Sequence, residues 1–171
     1  MKSDADVCIC MTHDCVPYDR NLVKELLEAL DASERVAAAY ARQLPATDCN
    51  IIECHTRDFN YPDKSRVKRL SDLDTLGIKT YFCSNVCAAY RRDIYLKLGG
   101  FTKKTIFNED MIFAGHAVEA GYQIAYAADA QVIHSHNYTA MQQLHRNSTS
   151  AYRRRITPRC LGGFIPEGEG S

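Results

Sequence analysis

Four short groups of residues in this chain carry side chains that can do chemistry. Glu109 and Asp110 are adjacent carboxylates that follow the Gly99-Gly100 turn and a short basic loop. Asn108 precedes them and an apolar pattern follows, with Met111, Ile112, Ala114, Ala117 and Val118 on roughly one face and Gly121 as a helix stop. Two readings stand: acids favoured by a helix dipole behind an Asn108 cap, or acids that a loop presents to a ligand. Asp14 lies in the polar turn Thr12-His13-Asp14-Cys15-Val16-Pro17, either as turn chemistry or as a ligand-binding carboxylate beyond a strand's carboxyl end. Arg91 and Arg92 are either a solvated helix start or two guanidinium groups that hold a diphosphate. His134 and His136 share one face of an extended segment, where they can bind a cation or a phosphate.

The elements that must position these groups follow α/β grammar. Val7-Cys8-Ile9-Cys10-Met11 reads as a buried strand, and Asp19 as the cap of a helix with apolar Leu22, Val23, Leu26, Leu27 and Leu30. Val36-Ala37-Ala38-Ala39-Tyr40 reads as a second strand, and residues 46–61 as a long loop with little periodicity. Ser71-Asp72-Leu73-Asp74 predicts a short capped helix ending at Gly77. Thr80-Tyr81-Phe82-Cys83 and Val86-Cys87-Ala88-Ala89-Tyr90 read as two strand pieces parted by Ser84-Asn85, and Tyr122–Tyr126 and Gln131–Ile133 as two more parted by a turn.

Composition bounds what these groups can belong to. With 171 residues, 46% hydrophobic and 25% charged, the chain can bury one ordinary core. Its 21 basic and 21 acidic residues cancel, so nothing directs it to nucleic acid, although Arg153, Arg154 and Arg155 form a local cluster. No apolar run approaches the roughly 20 residues of a membrane span, and the first residues form no signal-peptide core. The expectation is a cytoplasmic chain whose eight cysteines are reduced and buried. Cys8 and Cys10, Cys49 and Cys54, and Cys83 and Cys87 all lack the spacing of the commonest zinc knuckles.

Taken together, Thr12-His13-Asp14-Cys15-Val16-Pro17, Ser84-Asn85 through Arg91-Arg92, Leu98-Gly99-Gly100-Phe101, Asn108-Glu109-Asp110, Ala120-Gly121-Tyr122 and Val132-Ile133-His134-Ser135-His136 resemble family 2 glycosyltransferases in order and spacing. The rhamnosyltransferase-like branch, which builds bacterial cell-surface polysaccharide, is the most similar. The resemblance runs from about Asp6 to Asn147. It implies a GT-A type α/β fold, a mixed sheet flanked by helices, and inverting transfer of a sugar, expected to be rhamnose, from a nucleotide-diphosphate donor. Asp110 matches the base position of that family and Glu109 a position that orients the acceptor or its partner side chains. Asp14 matches the last acid of the metal motif, with Mg²⁺ or Mn²⁺ as the implied cation. His134 or His136 matches the histidine region that closes the site on metal or diphosphate, and Arg91 and Arg92 are the further diphosphate candidates. The implied partners are a nucleotide sugar and a glycan or lipid-linked acceptor, with peripheral association at the inner face of the cell membrane.

The sequence departs from the pattern in three places. Thr12 stands where the first acid of the metal motif belongs, which leaves one carboxylate. The nucleotide-binding βαβα half of the family does not precede Asp6, so the chain reads as the catalytic portion of a longer enzyme, inactive and poorly stable alone. Residues 1–147 are expected to form a partial GT-A domain. Residues 148–171 read as an irregular tail, consistent with a single-base frameshift near residue 148. A catalytically silent glycan- or partner-binding module of the same fold is the alternative function. Outside the family, a cysteine/histidine metal protein would be marked by stoichiometric zinc.

Overall fold

The computed structural model describes residues 4–102, 108–135 and 141. Of the two units into which the chain divides, residues 1–137 and 138–171, the first carries everything below. Its elements are β1 (Val7–Met11), β2 (Val16–Pro17), α1 (Leu22–Leu30), β3 (Val36–Leu44), α2 (Ile51–Asn60), β4 (Arg66–Lys68), α3 (Leu73–Leu76), β5 (Cys87–Arg91), α4 (Arg92–Lys97), α5 (Glu109–Glu119) and β6 (Gln123–Ile133). Single 3₁₀ turns at Leu70–Asp72 and Gly77–Tyr81 flank α3.

The strands form one mixed sheet in the order β1-β5-β3-β6-β2. β5 runs antiparallel to both β1 and β3, while β3 and β6 are parallel. On its far side β6 pairs with β4 through Ile124–Tyr126 and with β2 through Val132–Ile133. Helices cover both faces, which is why β3 and β5 read as continuous apolar runs. One face packs Val36, Ala39, Ala41, Ala89 and Ala125 against Leu22, Leu26 and Leu30 of α1. The other packs Ala38, Tyr40, Tyr90, Ile124 and Tyr126 with Phe113, Ala114, Ala117 and Val118 of α5. Alanine on the sheet lets both helices approach closely, and on the α5 side the remaining space is filled by rings. Tyr90, Tyr95, Phe101 and Phe113 meet mostly edge to face, with Tyr90 5.4 Å from Phe113 and Tyr95 5.0 Å from Phe101.

Several expectations need correction. Residues 51–60, expected to lie in a loop, form α2, whose first turn is capped by Asn50 accepting from the Glu53 N–H at 2.9 Å. Its inward side chains are Glu53 and Arg57, so apolar periodicity could not announce it. Cys49 and Cys54, expected as thiols, form a disulfide at the start of this helix, whereas Cys8, Cys10, Cys15, Cys83 and Cys87 are free. Thr80–Cys83 is not a strand: Thr80 and Tyr81 end a 3₁₀ turn, and the carbonyls of Lys79 and Phe82 turn toward the buried Lys68 ammonium. The two pieces expected at 122–126 and 131–133 are one strand, β6, with a register shift against β3 between Ala127 and Gln131. Asn108 makes no side-chain cap; it takes a left-handed conformation, φ 66°. Gly121 stops α5 as expected, at φ 85°, with its N–H on Val118 and the Tyr122 N–H on Ala117.

Candidate functional site

The carboxyl ends of β1, β3 and β6, the segment entering β5 and the first turn of α5 meet at one edge of the sheet. Among α/β proteins this is where ligands bind. The first group there is built on Asn85, which follows the buried residues Cys83 and Ser84. Its backbone N–H donates to Asp110 Oδ2 at 2.9 Å and its side-chain amide donates to Glu109 Oε1 at 3.0 Å. The amide orientation is set from behind, because the buried Tyr90 hydroxyl donates to Asn85 Oδ1 at 2.6 Å. Asp110 also accepts from the Met111 N–H at 2.8 Å. Burial raises the Asp110 pKa above its ordinary value, opposed by the Asn85 and Met111 N–H groups and reinforced by the Glu109 charge. The result is a fixed carboxylate more basic than usual.

The second group is built on Gln43, a fully buried amide on β3. Its Nε2 donates to Ser84 Oγ at 2.8 Å, and its Oε1 accepts from Arg57 Nη1 and lies 3.1 Å from His134 Nδ1. A guanidinium can only donate, so the Gln43 oxygen faces Arg57, and it follows that His134 Nδ1 carries the proton in that contact. The other ring nitrogen, Nε2, then faces Asp14 Oδ2 at 3.3 Å. Arg57 is held in turn by Glu53, Nη2 to Oε1 2.6 Å, a pair with little exposure. The turn bearing Asp14 is pinned by the Thr12 N–H on Val86 O at 3.0 Å and Cys15 Sγ on the same oxygen at 3.1 Å. The neighbouring Thr12 side chain, with His134 behind it, lowers the Asp14 pKa to about 2.

The two groups join through consecutive residues: Ser84 touches Gln43 and Asn85 holds Asp110. The structure therefore brings Asp14, His134, Glu109 and Asp110 to one edge. His136 lies outside the described residues. Arg91 and Arg92 are not brought there, which corrects the expected diphosphate clamp. Arg91 pairs with Val7 at the start of β1, about 13 Å along the strand from its carboxyl end at ~3.3 Å per residue. It donates to Leu30 O, Val36 O and Asp31 Oδ1, closing the end of α1. Arg92 lines a hollow at that same end together with three carboxylates, Asp6, Glu34 and Asp93. Asn85, Gln43, Ser84, Tyr90, Glu53 and Arg57 were not assigned roles from sequence. The one signal for Gln43 is a polar residue deep in an apolar strand, and Ser84-Asn85 is visible as the interruption before β5. Among the described residues no three His, Cys, Asp or Glu side chains converge on one point.

This architecture is part of a GT-A type fold. The mannosyltransferase PcManGT from Pyrobaculum calidifontis, solved with GDP-Man and Mn²⁺, matches 76% of this chain and 32% of its own with a TM-score of 0.52 at 14% identity, a likeness of fold. No family model matches the chain. In sequence it is 42% identical over 168 residues to the O-antigen chain rhamnosyltransferase RfbN of Salmonella typhimurium, covering 96% of this chain and 53% of that protein. It is 43% identical over 143 residues to the O-antigen chain rhamnosyltransferase WbaN of Salmonella anatum, covering 84% and 45%. The resemblance to rhamnosyltransferases, drawn above from motifs, is borne out by these relatives. The chain spans about half the length of the curated relatives it matches.

Proposed function

We propose that this chain carries the catalytic edge of an inverting glycosyltransferase that moves a sugar, rhamnose, from a nucleoside-diphosphate donor to a growing cell-surface polysaccharide. The observation that carries the reading is the Asn85 clamp, which fixes two adjacent carboxylates beside the Asp14–His134 pair. Asp110 takes the proton from the acceptor hydroxyl as its oxygen forms the new bond to the anomeric carbon. The bond from that carbon to the diphosphate oxygen breaks, and the nucleoside diphosphate leaves with the electron pair. One displacement on the face opposite the leaving group inverts the configuration. Glu109 is the orienting acid: its bond to Asn85 leaves its second oxygen to direct acceptor hydroxyls.

A divalent cation, Mg²⁺ or Mn²⁺, fits Asp14 and His134. A carboxylate that stays ionised to about pH 2 and an imidazole whose Nε2 faces it supply one oxygen and one nitrogen donor. Such an ion would neutralise charge on the departing diphosphate. His136 is the second histidine candidate for that role. Because the donor is a nucleotide sugar and the product a surface glycan, the reaction belongs on the cytoplasmic face of the membrane. Among the described residues no helix is long and apolar enough to cross it.

The test is Asp110→Asn in the complete gene product, assayed for nucleoside-diphosphate release with deoxythymidine-diphosphate rhamnose and a polysaccharide-precursor acceptor. Turnover should fall roughly 10²–10⁴-fold, the usual range for a lost general base, while donor affinity is kept. Unchanged turnover rejects Asp110 as the base. Acceptor binding without turnover in the unsubstituted protein would leave a glycan-binding module instead.

A further inference from the structure

Apolar packing does not hold α2 in place. The helix is 10 residues long, a length at which a helix is marginal by itself, and Glu53 is its only buried residue. Ile51, Ile52 and Phe59 are exposed. What holds it instead is the Asn50 cap, the ion pair of Glu53 with Arg57, and the disulfide between Cys49 and Cys54.

The disulfide sits where the chain enters the helix. Cys49 precedes the Asn50 cap and Cys54 is the fourth helical residue, the two places where a pair of apolar side chains often packs to fix the entry angle. Here the staple is covalent. From each of its ends a run of contacts reaches His134. Next to Cys54, Glu53 holds Arg57, Arg57 donates to Gln43, and Gln43 Oε1 lies 3.1 Å from His134 Nδ1. At the other end the Cys49 N–H donates to Ala46 O at 3.1 Å, and the Ala46 N–H donates to Ser135 Oγ at 3.1 Å, beside His134 in the chain. Cys49 and Cys54 are both half-buried, within reach of a small thiol. Cys83 and Cys87 are not: both are buried, and burial pushes their thiols up to about 12, so they stay protonated and unreactive.

We propose that Cys49 and Cys54 form a reversible redox site, whose disulfide tightens α2 under Gln43 and His134 and whose reduction loosens that brace. The co-reactant is a small thiol/disulfide couple such as glutathione. In reduction a thiolate attacks one sulfur of the pair, the Cys49–Cys54 bond breaks, and the other cysteine leaves as a thiolate. A second thiolate attacks the small thiol's sulfur in the mixed disulfide and releases the remaining cysteine. Two protons pass to the two cysteines, two electrons pass to the pair, and the small thiols depart joined as a disulfide. Oxidation runs the same steps backwards. Disulfides in cytosolic proteins are usually of this transient kind. Control of sugar transfer by this site rests on the transferase reading of the His134 edge, whereas the redox site itself does not.

The experiment equilibrates the complete gene product in buffers running from mostly oxidised to mostly reduced glutathione, traps thiols with iodoacetamide and weighs the peptide that carries Cys49 and Cys54. Within that series the peptide should pass from a disulfide to two alkylated thiols. A bond that persists in the most reducing buffer, or never forms in the most oxidising one, would overturn the proposal. After reduction the amides of Ile51–Asn60 should exchange with deuterium about tenfold faster, and His134 should react about tenfold faster with diethyl pyrocarbonate. The double substitution Cys49→Ser and Cys54→Ser should match the reduced form in both readouts at every glutathione ratio. Equal exchange in the two forms of the parent would leave the disulfide without grip on α2 and overturn the coupling to His134. Nucleoside-diphosphate release should fall on reduction of the parent and stay constant in the double variant. A redox response of α2 and His134 in a protein that never releases nucleoside diphosphate would uphold the switch and count against the transferase reading.

Discussion

Asn85 makes one short side chain and its own peptide N–H serve two acids at once, and its orientation comes from a tyrosine buried below it. The sequence shows the acids plainly, because Glu109 and Asp110 sit between a Gly-rich turn and an apolar helix. Asn85 is not legible in the same way, since its partners are 24 and 25 positions later and only the fold closes that distance. His134 was legible as a histidine but not as a tautomer, which depends on Gln43 and Arg57 from elements far away in the chain. Asp14 makes the clearest residue-scale prediction. Its folded pKa of about 2 lies below the ordinary 3.8, so its contribution to stability is full above the ordinary value and is lost as pH falls toward 2. Asp14→Asn should therefore lower stability at neutral pH and flatten the acid limb between roughly pH 4 and pH 2, so that variant and parent converge near pH 2, as followed by circular dichroism. An acid limb identical to the parent's would show that Asp14 is not held as described.

At the scale of elements, the helices with an apolar stripe announced themselves and the one with a polar stripe did not. α1 repeats leucine every fourth residue and buries Leu22, Leu26 and Leu30. α2 turns Glu53 and Arg57 inward instead, because its task is to brace Gln43 rather than to fill space. The same logic explains Thr80–Cys83, whose β-like composition yields to the demand of Lys68 for carbonyl oxygens. Arg57→Leu leaves Glu53 buried without its cation and should cost about 3–5 kcal/mol of unfolding free energy by urea titration. It should also loosen His134, read as a broadened ring resonance in NMR spectra. A loss under 1 kcal/mol would mean that water reaches Glu53 and that α2 is a cover rather than a brace.

For the whole molecule, fold class and the order of the main strands in sequence were legible, since strand, acidic turn and helix follow one another in α/β fashion. The pairing was not. Apolar periodicity says that β3 is buried on both faces, but nothing local says that its neighbours are β5 and β6 rather than β1. That choice is made by the aromatic layer and by the two helices closing over opposite faces. The Gly100 turn depends on this packing as well. At φ 70° a side chain there is already disfavoured, and a Cβ would come within 2.8 Å of the Tyr95 ring, whose hydroxyl accepts from the Phe101 N–H.

β6 is the strand on which β3, β4 and β2 all depend, and it is the last of the six to leave the ribosome. A nascent chain can pair β1, β5 and β3 beforehand, but α1 has only part of its floor until Ala125, Ala127 and Val132 arrive. Closure therefore waits for β6, and the long interval between Leu44 and its partner Ile133 makes it slow and non-local. A chain ending at residue 121 should melt without a cooperative transition, whereas one ending at residue 137 should melt sharply. Equal melts would mean that the earlier strands already form a self-sufficient nucleus, with β6 added to a finished core.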